Sequence, residues 1–139
     1  MQHNAEITGP VWATKHDKRI TKIGAFLRRT RIDELPQLIS VLLGDMSLIG
    51  PRPERPEIEI MLKEKIPHYD LRNLIKPGLS GWAQVNYPYG ASIKDSEMKL
   101  SYELFYIRNQ SFLLDILIFF KTIKLIINMK GSVPISNDN

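Results

Sequence analysis

The residues best equipped for chemistry are an adjacent acidic pair, Asp33-Glu34, preceded by Arg28, Arg29 and Arg31 and followed by Pro36. If the pair opens a helix, backbone N–H groups and the positive end of the helix dipole favour an anion beside it, and a phosphate suits that place. Adjacent carboxylates can also hold Mg2+ through one or two oxygens while substrate phosphates and waters complete its shell. One carboxylate can instead attack phosphorus and form an acyl-phosphate. The plainer alternative is that Asp33 caps the helix and Glu34 offsets the arginines. The chain has no cysteine, so sulfur nucleophiles and thiolate zinc sites are excluded, and any chemistry falls to oxygen, nitrogen or metal-assisted groups.

Two further segments carry candidate ligand contacts. In Gly50-Pro51-Arg52-Pro53-Glu54-Arg55 an arginine stands between two prolines, whose restricted backbone lowers the ordering cost of a bidentate contact to phosphate. Its bland reading is a surface turn. In Lys76-Pro77-Gly78-Leu79-Ser80-Gly81-Trp82-Ala83-Gln84-Val85-Asn86 the glycines would let backbone approach a ligand closely, and Lys76 could supply charge. Many turn-strand segments look alike, so this one is weak by itself. Pro51, Pro53, Lys76 and Gln84 are the candidate substrate-binding residues of the two segments. His3, His16 and His68 are scattered, with no partner at ligand spacing, which argues against a zinc or histidine-base site.

The elements that must position these residues are mostly helical. Residues 1–19 read as a loop or arm with a short apolar island at Val11, Trp12 and Ala13, and residues 129–139 as a flexible tail. Ile20, Ile23, Phe26 and Leu27 recur at helical spacing among basic residues, predicting a short basic amphipathic helix. A second helix is expected with Asp33 as N-cap, Glu34 and Pro36 in its first turn, an apolar face of Leu35, Leu38, Ile39 and Leu42, and Gly44 at its end. Residues 45–53 then make an apolar turn or short strand and a rigid extended segment. A helix over 56–66 lies between Pro56 and Pro67, followed by turn, short strand at Trp82-Ala83-Gln84-Val85, and turn. Ser92 and Asp95 have the spacing of a capping box before Met98, Tyr102, Phe105 and Tyr106.

The segment 111–128 needs a helical wheel. At about 100° per residue, Phe112, Leu113, Ile116, Phe119, Phe120, Ile123, Ile126 and Ile127 share one half, and Asp115, Lys121, Thr122, Lys124 and Asn128 the other. Leu114, Leu117, Ile118 and Leu125 intrude on the polar half, which is more apolar surface than one small domain needs. Either the helix lies in a membrane interface with Lys121, Lys124 and Lys130 near anionic headgroups, or the domain buries it on both sides; the pattern weighs the two equally.

At 139 residues the chain is one domain's worth. Nineteen Lys and Arg against fifteen Asp and Glu give a net charge of +4, a balance that suits nucleic acid, an anionic membrane surface or phosphorylated small molecules. With 43% hydrophobic residues, disorder throughout is excluded, and no apolar stretch approaches the roughly 18 residues that span a bilayer. The absence of cysteine leaves a reducing or cysteine-indifferent compartment as the expectation, and nothing at the N-terminus reads as an apolar leader for export.

Taken in order, Leu27-Arg28-Arg29-Thr30-Arg31-Ile32-Asp33-Glu34-Leu35-Pro36-Gln37-Leu38, Gly44-Asp45-Met46-Ser47-Leu48-Ile49-Gly50-Pro51-Arg52-Pro53, the segment from Lys76 to Asn86, and Tyr106-Ile107-Arg108-Asn109 resemble the bacterial sugar transferases, small monotopic phosphoglycosyl transferases that act on polyprenyl phosphate. The resemblance runs from about Gly9 to Ile127. It implies transfer of a sugar 1-phosphate from a nucleotide diphosphate sugar, a UDP-sugar, to undecaprenyl phosphate at the cytoplasmic face of the bacterial inner membrane, starting an exopolysaccharide, capsule or O-antigen-type glycan. It further implies a ping-pong scheme in which Asp33 attacks the β-phosphate and carries a phosphosugar adduct, and Glu34 assists Mg2+ placement or deprotonation of the acceptor. Arg28 and Arg52 match arginines that bind phosphate.

The chain departs from the pattern twice. Relatives begin with a long hydrophobic membrane-entering helix that is not found before Met1 here, so the chain reads as the catalytic half: a fragment or excised piece, the product of a misplaced start codon, a remnant, or a short companion that works with another polypeptide or a second copy. Tyr87-Pro88-Tyr89-Gly90 stands where many relatives carry an arginine, which reads as the mark of a subgroup. The expected architecture is therefore an α-rich, compact domain with few short strands, docked on a membrane surface through an amphipathic C-terminal helix. One rival is a non-catalytic membrane-surface fragment. Another is a basic helix-turn-helix module for nucleic acid, against which an acidic pair at the start of the second helix argues, because it would face the phosphates.

Overall fold

A computed structural model describes residues 21, 23, 24, 26, 27, 32–87, 90 and 92–128. The expected arm, the apolar island, the tail, and Arg28, Arg29, Arg31 and Lys130 lie outside the described residues; Ile23, Gly24, Phe26 and Leu27 are helical. The order that follows is a 3-10 turn at Ile32–Glu34, α1 (Gln37–Leu42), β1 (Ser47–Ile49), α2 (Pro56–Lys65), a second 3-10 stretch at Tyr69–Leu74, β2 (Gly78–Ser80), α3 (Trp82–Asn86), α4 (Ile93–Arg108) and α5 (Phe112–Ile127). The α-rich class with few short strands is what the sequence predicts. Among the described residues no helix is long and apolar enough to cross a membrane.

The core gathers where α2, the second 3-10 stretch and α4 meet. Ile58 and Leu62 on one side of α2 and Ile66 just past its end recur every fourth residue and pack with Tyr69 and Leu100, with Met61 and Leu104 against them. Pro56 occupies the first turn of α2, where its missing N–H has no helical partner to lose. The capping box at α4 is present as expected, Asp95 N–H donating to the Ser92 hydroxyl and Ser92 N–H to the Asp95 carboxylate.

β1 and β2 form a two-stranded parallel ribbon, Ser47 opposite Gly78 and Ile49 opposite Ser80. Three glycines set its closeness. A Cβ on Gly50 would lie 2.7 Å from the Lys76 carbonyl oxygen, and a Cβ on Gly78 or Gly81 would overlap the backbone of Gly50. These glycines thus admit a neighbouring strand rather than the ligand that the sequence suggests for Gly78 and Gly81. The strand also falls earlier than expected: Gly78–Ser80 pairs, whereas Trp82–Asn86 is helical. Past Gly81 the chain turns helical: Val85 N–H closes a turn on the Gly81 carbonyl, and Asn86 Nδ2 donates to the Trp82 carbonyl.

Two further expectations change. Asp33 is not the N-cap of α1, which follows Pro36 without a side-chain cap, because the chain is already turning from Ile32. Pro36 cannot donate to the Ile32 carbonyl, so the lead-in tightens to i→i+3 bonds, Leu35 N–H to the Ile32 carbonyl and Leu38 N–H to that of Leu35. The apolar residues of this region also face outward, Leu42 being 87% and Ile39 61% exposed. Helix α5 is likewise not buried on both sides. Its polar side faces the domain: Ile118 is fully buried, Thr122 meets the Ser80 hydroxyl at 2.6 Å, Lys121 Nζ donates to Asn86 Oδ1 at 2.6 Å, and Asp115 accepts from the Tyr106 hydroxyl at 2.7 Å. Phe112, Leu113 and Ile127 stand 78%, 77% and 74% exposed on the other side.

Candidate active site

The acidic pair and the proline-flanked arginine come together. Asp33 and Glu34 end the 3-10 turn; Asp33 is exposed and Glu34 half-buried, and Arg52 Nη2 donates to Glu34 Oε1 at 2.8 Å. The same guanidinium reaches the Leu79 carbonyl through Nη1 at 3.4 Å, and Gln84 Nε2 donates to that carbonyl at 3.2 Å. Arg52 and Gln84 therefore converge on the middle residue of β2, and Glu34 joins them through Arg52, from segments 18 and 32 residues distant from Arg52 in either direction along the chain (52 − 34 and 84 − 52).

Backbone hydrogen bonds fix where Arg52 sits. Gly50 N–H donates to the Ser80 carbonyl and Gly78 N–H to the Pro51 carbonyl, each at 2.8 Å, so the residues on the N-terminal side of Arg52 extend the ribbon. Pro51 is buried in this contact and Pro53 is exposed. The Arg52 carbonyl accepts from Arg72 Nη2, and Arg72 also donates to Tyr69 Oη at 2.6 Å and to Glu103 Oε1 at 2.9 Å. Arg72 and Glu103 are 4% and 6% exposed. Burial lifts the Glu103 carboxyl to about 7, with Arg72 pulling it back, and burial also raises the Tyr69 phenol.

Lys76 lies elsewhere: Nζ donates to the Gly44 carbonyl at 2.7 Å, at the end of α1 opposite the acidic pair. Arg28 falls outside the described residues. Sequence reasoning missed Arg72, Tyr69 and Glu103. For Glu103 a signal existed, since Ser96, Leu100, Glu103 and Tyr106 form the buried stripe of α4, and a carboxylate on such a stripe requires a buried partner.

Among the described residues, Gln37 Oε1 and Gln84 Oε1 are buried oxygens without a hydrogen-bond partner, each a deficit that a ligand or water could fill at a cost otherwise of about 1–3 kcal/mol. No group of three or more His, Cys, Asp or Glu placed to hold a metal occurs among the described residues. Two carboxylates at one turn are a donor set for a hard ion completed by water and phosphate, which is how Mg2+ binds, and not for a closed zinc cage.

An exposed aspartate next to a glutamate that is ion-paired to an arginine, beside a rigid ribbon, can meet an anionic, metal-bound phosphate. The family described as bacterial sugar transferase matches residues 1–129. The chain is 46% identical over 132 residues to the UDP-N-acetylgalactosamine-undecaprenyl-phosphate N-acetylgalactosaminephosphotransferase of Aeromonas hydrophila, covering 95% of this chain and 31% of that one. It is 43% identical over 120 residues to the UDP-glucose:undecaprenyl-phosphate glucose-1-phosphate transferase of Xanthomonas campestris pv. campestris, covering 85% of this chain and 25% of the relative. Over 72 residues it is 60% identical to a putative undecaprenyl-phosphate N-acetylgalactosaminyl 1-phosphate transferase of Bacillus subtilis, covering 52% and 40%. The chain belongs to the bacterial sugar transferase family, and it spans less than half the length of each of these curated relatives.

Proposed function

We propose that this chain carries the catalytic residues for transfer of a sugar 1-phosphate from a UDP-sugar to undecaprenyl phosphate, initiating a surface glycan such as an exopolysaccharide, capsule or O-antigen. The observation that carries the reading is the 2.8 Å contact between Glu34 and Arg52, which joins the two motifs the family resemblance singles out. In the first step the Asp33 carboxylate forms an O–P bond to the β-phosphorus. The bond from that phosphorus to the bridging oxygen breaks, and the nucleoside monophosphate leaves with the electron pair. In the second step an oxygen of undecaprenyl phosphate attacks the same phosphorus, the Asp33–phosphorus bond breaks, and the polyprenyl diphosphate sugar departs. Arg52, with Arg28, neutralises the donor diphosphate, and Glu34 both holds Arg52 and accepts the proton of an incoming phosphate. Asp33 and Glu34 would hold Mg2+, which when bound offsets charge on the diphosphate.

The domain docks at the cytoplasmic face of the bacterial inner membrane through residues 111–128. The outward apolar side of α5 supports this placement. The test is incubation with UDP-sugar, Mg2+ and undecaprenyl phosphate. Transient covalent labelling by a β-phosphate-labelled donor and release of UMP are expected, both lost in Asp33→Asn; turnover undiminished in that variant rejects the nucleophile. Vesicle binding without UMP release would favour the non-catalytic membrane-surface reading, which the same outward face also supports.

A further inference from the structure

The most unusual buried feature outside the acidic pair is the charged cluster of Tyr69, Arg72 and Glu103. Its centre, Arg72, reaches from the second 3-10 stretch to a backbone carbonyl 20 residues earlier and to a carboxylate on α4, 31 residues later. An arginine with almost no solvent contact is costly to bury unless every donor is employed, and a salt bridge alone needs only Glu103. The third contact, to the Arg52 carbonyl, serves no secondary structure, since residues 51–55 belong to no helix or strand. What it does is close the last degree of freedom of that segment. Gly78 N–H already holds the carbonyl of Pro51, and Pro51 and Pro53 restrict the torsions on both sides of Arg52.

We propose that Arg72 is a positioning residue for the transfer site: anchored by Glu103 and Tyr69, it clamps the Arg52 carbonyl and thereby aims the Arg52 guanidinium at Glu34 and the donor phosphates. This rests on the reading above only in that Arg52 meets donor phosphate; the clamp itself is a property of the substrate-free protein. A guanidinium on a flexible stem must otherwise be ordered when the ligand arrives, and a fixed backbone removes part of that cost. Glu103 and Tyr69 hold the clamp from the domain core, so α4 packing is transmitted to the site without touching substrate.

The test uses the full chain and two readouts. In nitrogen-edited NMR without substrate, the side-chain Nε–H signal of Arg52, assigned by its loss in Arg52→Ala, is expected to be distinct and to collapse into the averaged arginine envelope in Arg72→Met. In the transfer assay, Arg72→Met is expected to lower kcat/KM about tenfold in the Arg52 background yet have almost no further effect in Arg52→Ala, the non-additivity of two residues acting through one contact. Tyr69→Phe and Glu103→Gln, which remove one anchor and keep the shape, should move both readouts the same way to a smaller extent, and they carry the test if Arg72→Met does not fold. An unaltered Arg52 signal in folded Arg72→Met, or in both anchor variants, overturns the clamp, as does an equal kinetic loss in both backgrounds. If the unsubstituted protein transfers nothing, the transferase reading fails and the NMR arm alone decides the clamp.

Discussion

Glu34 and Arg52 make a pair whose worth lies in direction more than in stability. Their side chains are 18% and 38% exposed, and partly exposed ion pairs contribute about 0–1 kcal/mol, so Arg52→Lys should leave the unfolding midpoint nearly unchanged. A lysine is a point charge and cannot bond Glu34 and the Leu79 carbonyl through two separate nitrogens. Loss of one charge-assisted bond to phosphate or carboxylate then predicts a fall in kcat/KM of about tenfold to a hundredfold, measured as UMP release; full activity in this variant would show that the fork geometry is irrelevant. Glu103 yields a prediction of a different kind. It faces Arg72, Glu54 and Lys99, and its folded value of about 7 lies above the ordinary 4.5, so between those pH values the folded chain keeps a proton that the unfolded chain has lost. Its contribution is complete below pH 4.5 and drains as pH rises through 7, by about 3 kcal/mol in all. Denaturant titrations across that window should show this decline in the unsubstituted chain and not in Glu103→Gln, and parallel curves would reject it. Asp33, Glu34 and Arg52 were legible because adjacency and flanking prolines mark them in one dimension. Arg72 was not, because its partners stand 20 and 31 residues away and no local pattern records them.

At the scale of elements, α2 and α4 announced themselves through Pro56 and the Ser92/Asp95 box, since those signals are local hydrogen-bonding rules. The strand at Gly78–Ser80 did not, because what selects it is the close approach of Gly50, a tertiary fact. The α5 wheel was divided correctly, but its two halves face opposite to the habit of a globular helix: the side with Asp115, Lys121 and Thr122 docks, using polar bonds to Tyr106, Asn86 and Ser80. Periodicity gives the angle between faces and says nothing of which one meets the core. Apolar residues of α5 therefore differ sharply in their stake in folding. Ile118→Ala, at a fully buried position, should cost about 2–5 kcal/mol, whereas Leu113→Ala, 77% exposed, should change stability by less than about 0.5 kcal/mol. Equal losses in equilibrium unfolding would mean that the outward side is covered within the folded domain after all.

For the whole molecule, the proposed docking face can be tested by asking which force dominates it. The outward half of α5 presents Phe112, Leu113 and Phe120 at 78%, 77% and 63% exposure, and the outward residues of α1 add Ile39 and Leu42. Burying one such side chain yields about 1.5–3 kcal/mol, so three of them represent about 6 kcal/mol. Lys124, exposed at the edge of the polar half, contributes about 1 kcal/mol near an anionic surface. Apolar insertion should therefore outweigh charge, although the net charge of +4 on its own suggests an electrostatic association. In sedimentation with vesicles containing anionic lipid, replacing Phe112, Leu113 and Phe120 together by Ser is expected to lower the partition coefficient more than about a hundredfold with the unfolding midpoint preserved, because the residues removed are exposed. Raising salt from about 0.1 M to 1 M shortens the screening length from about 10 Å to 3 Å and should lower binding by less than about tenfold. The opposite ranking, strong loss with salt and little with serine, would assign the surface to electrostatic recognition and leave the apolar side of α5 for another partner. The expected ranking would place α5 flat in the interface with its polar seam turned toward β2 and α3, next to the segment that carries Gln84.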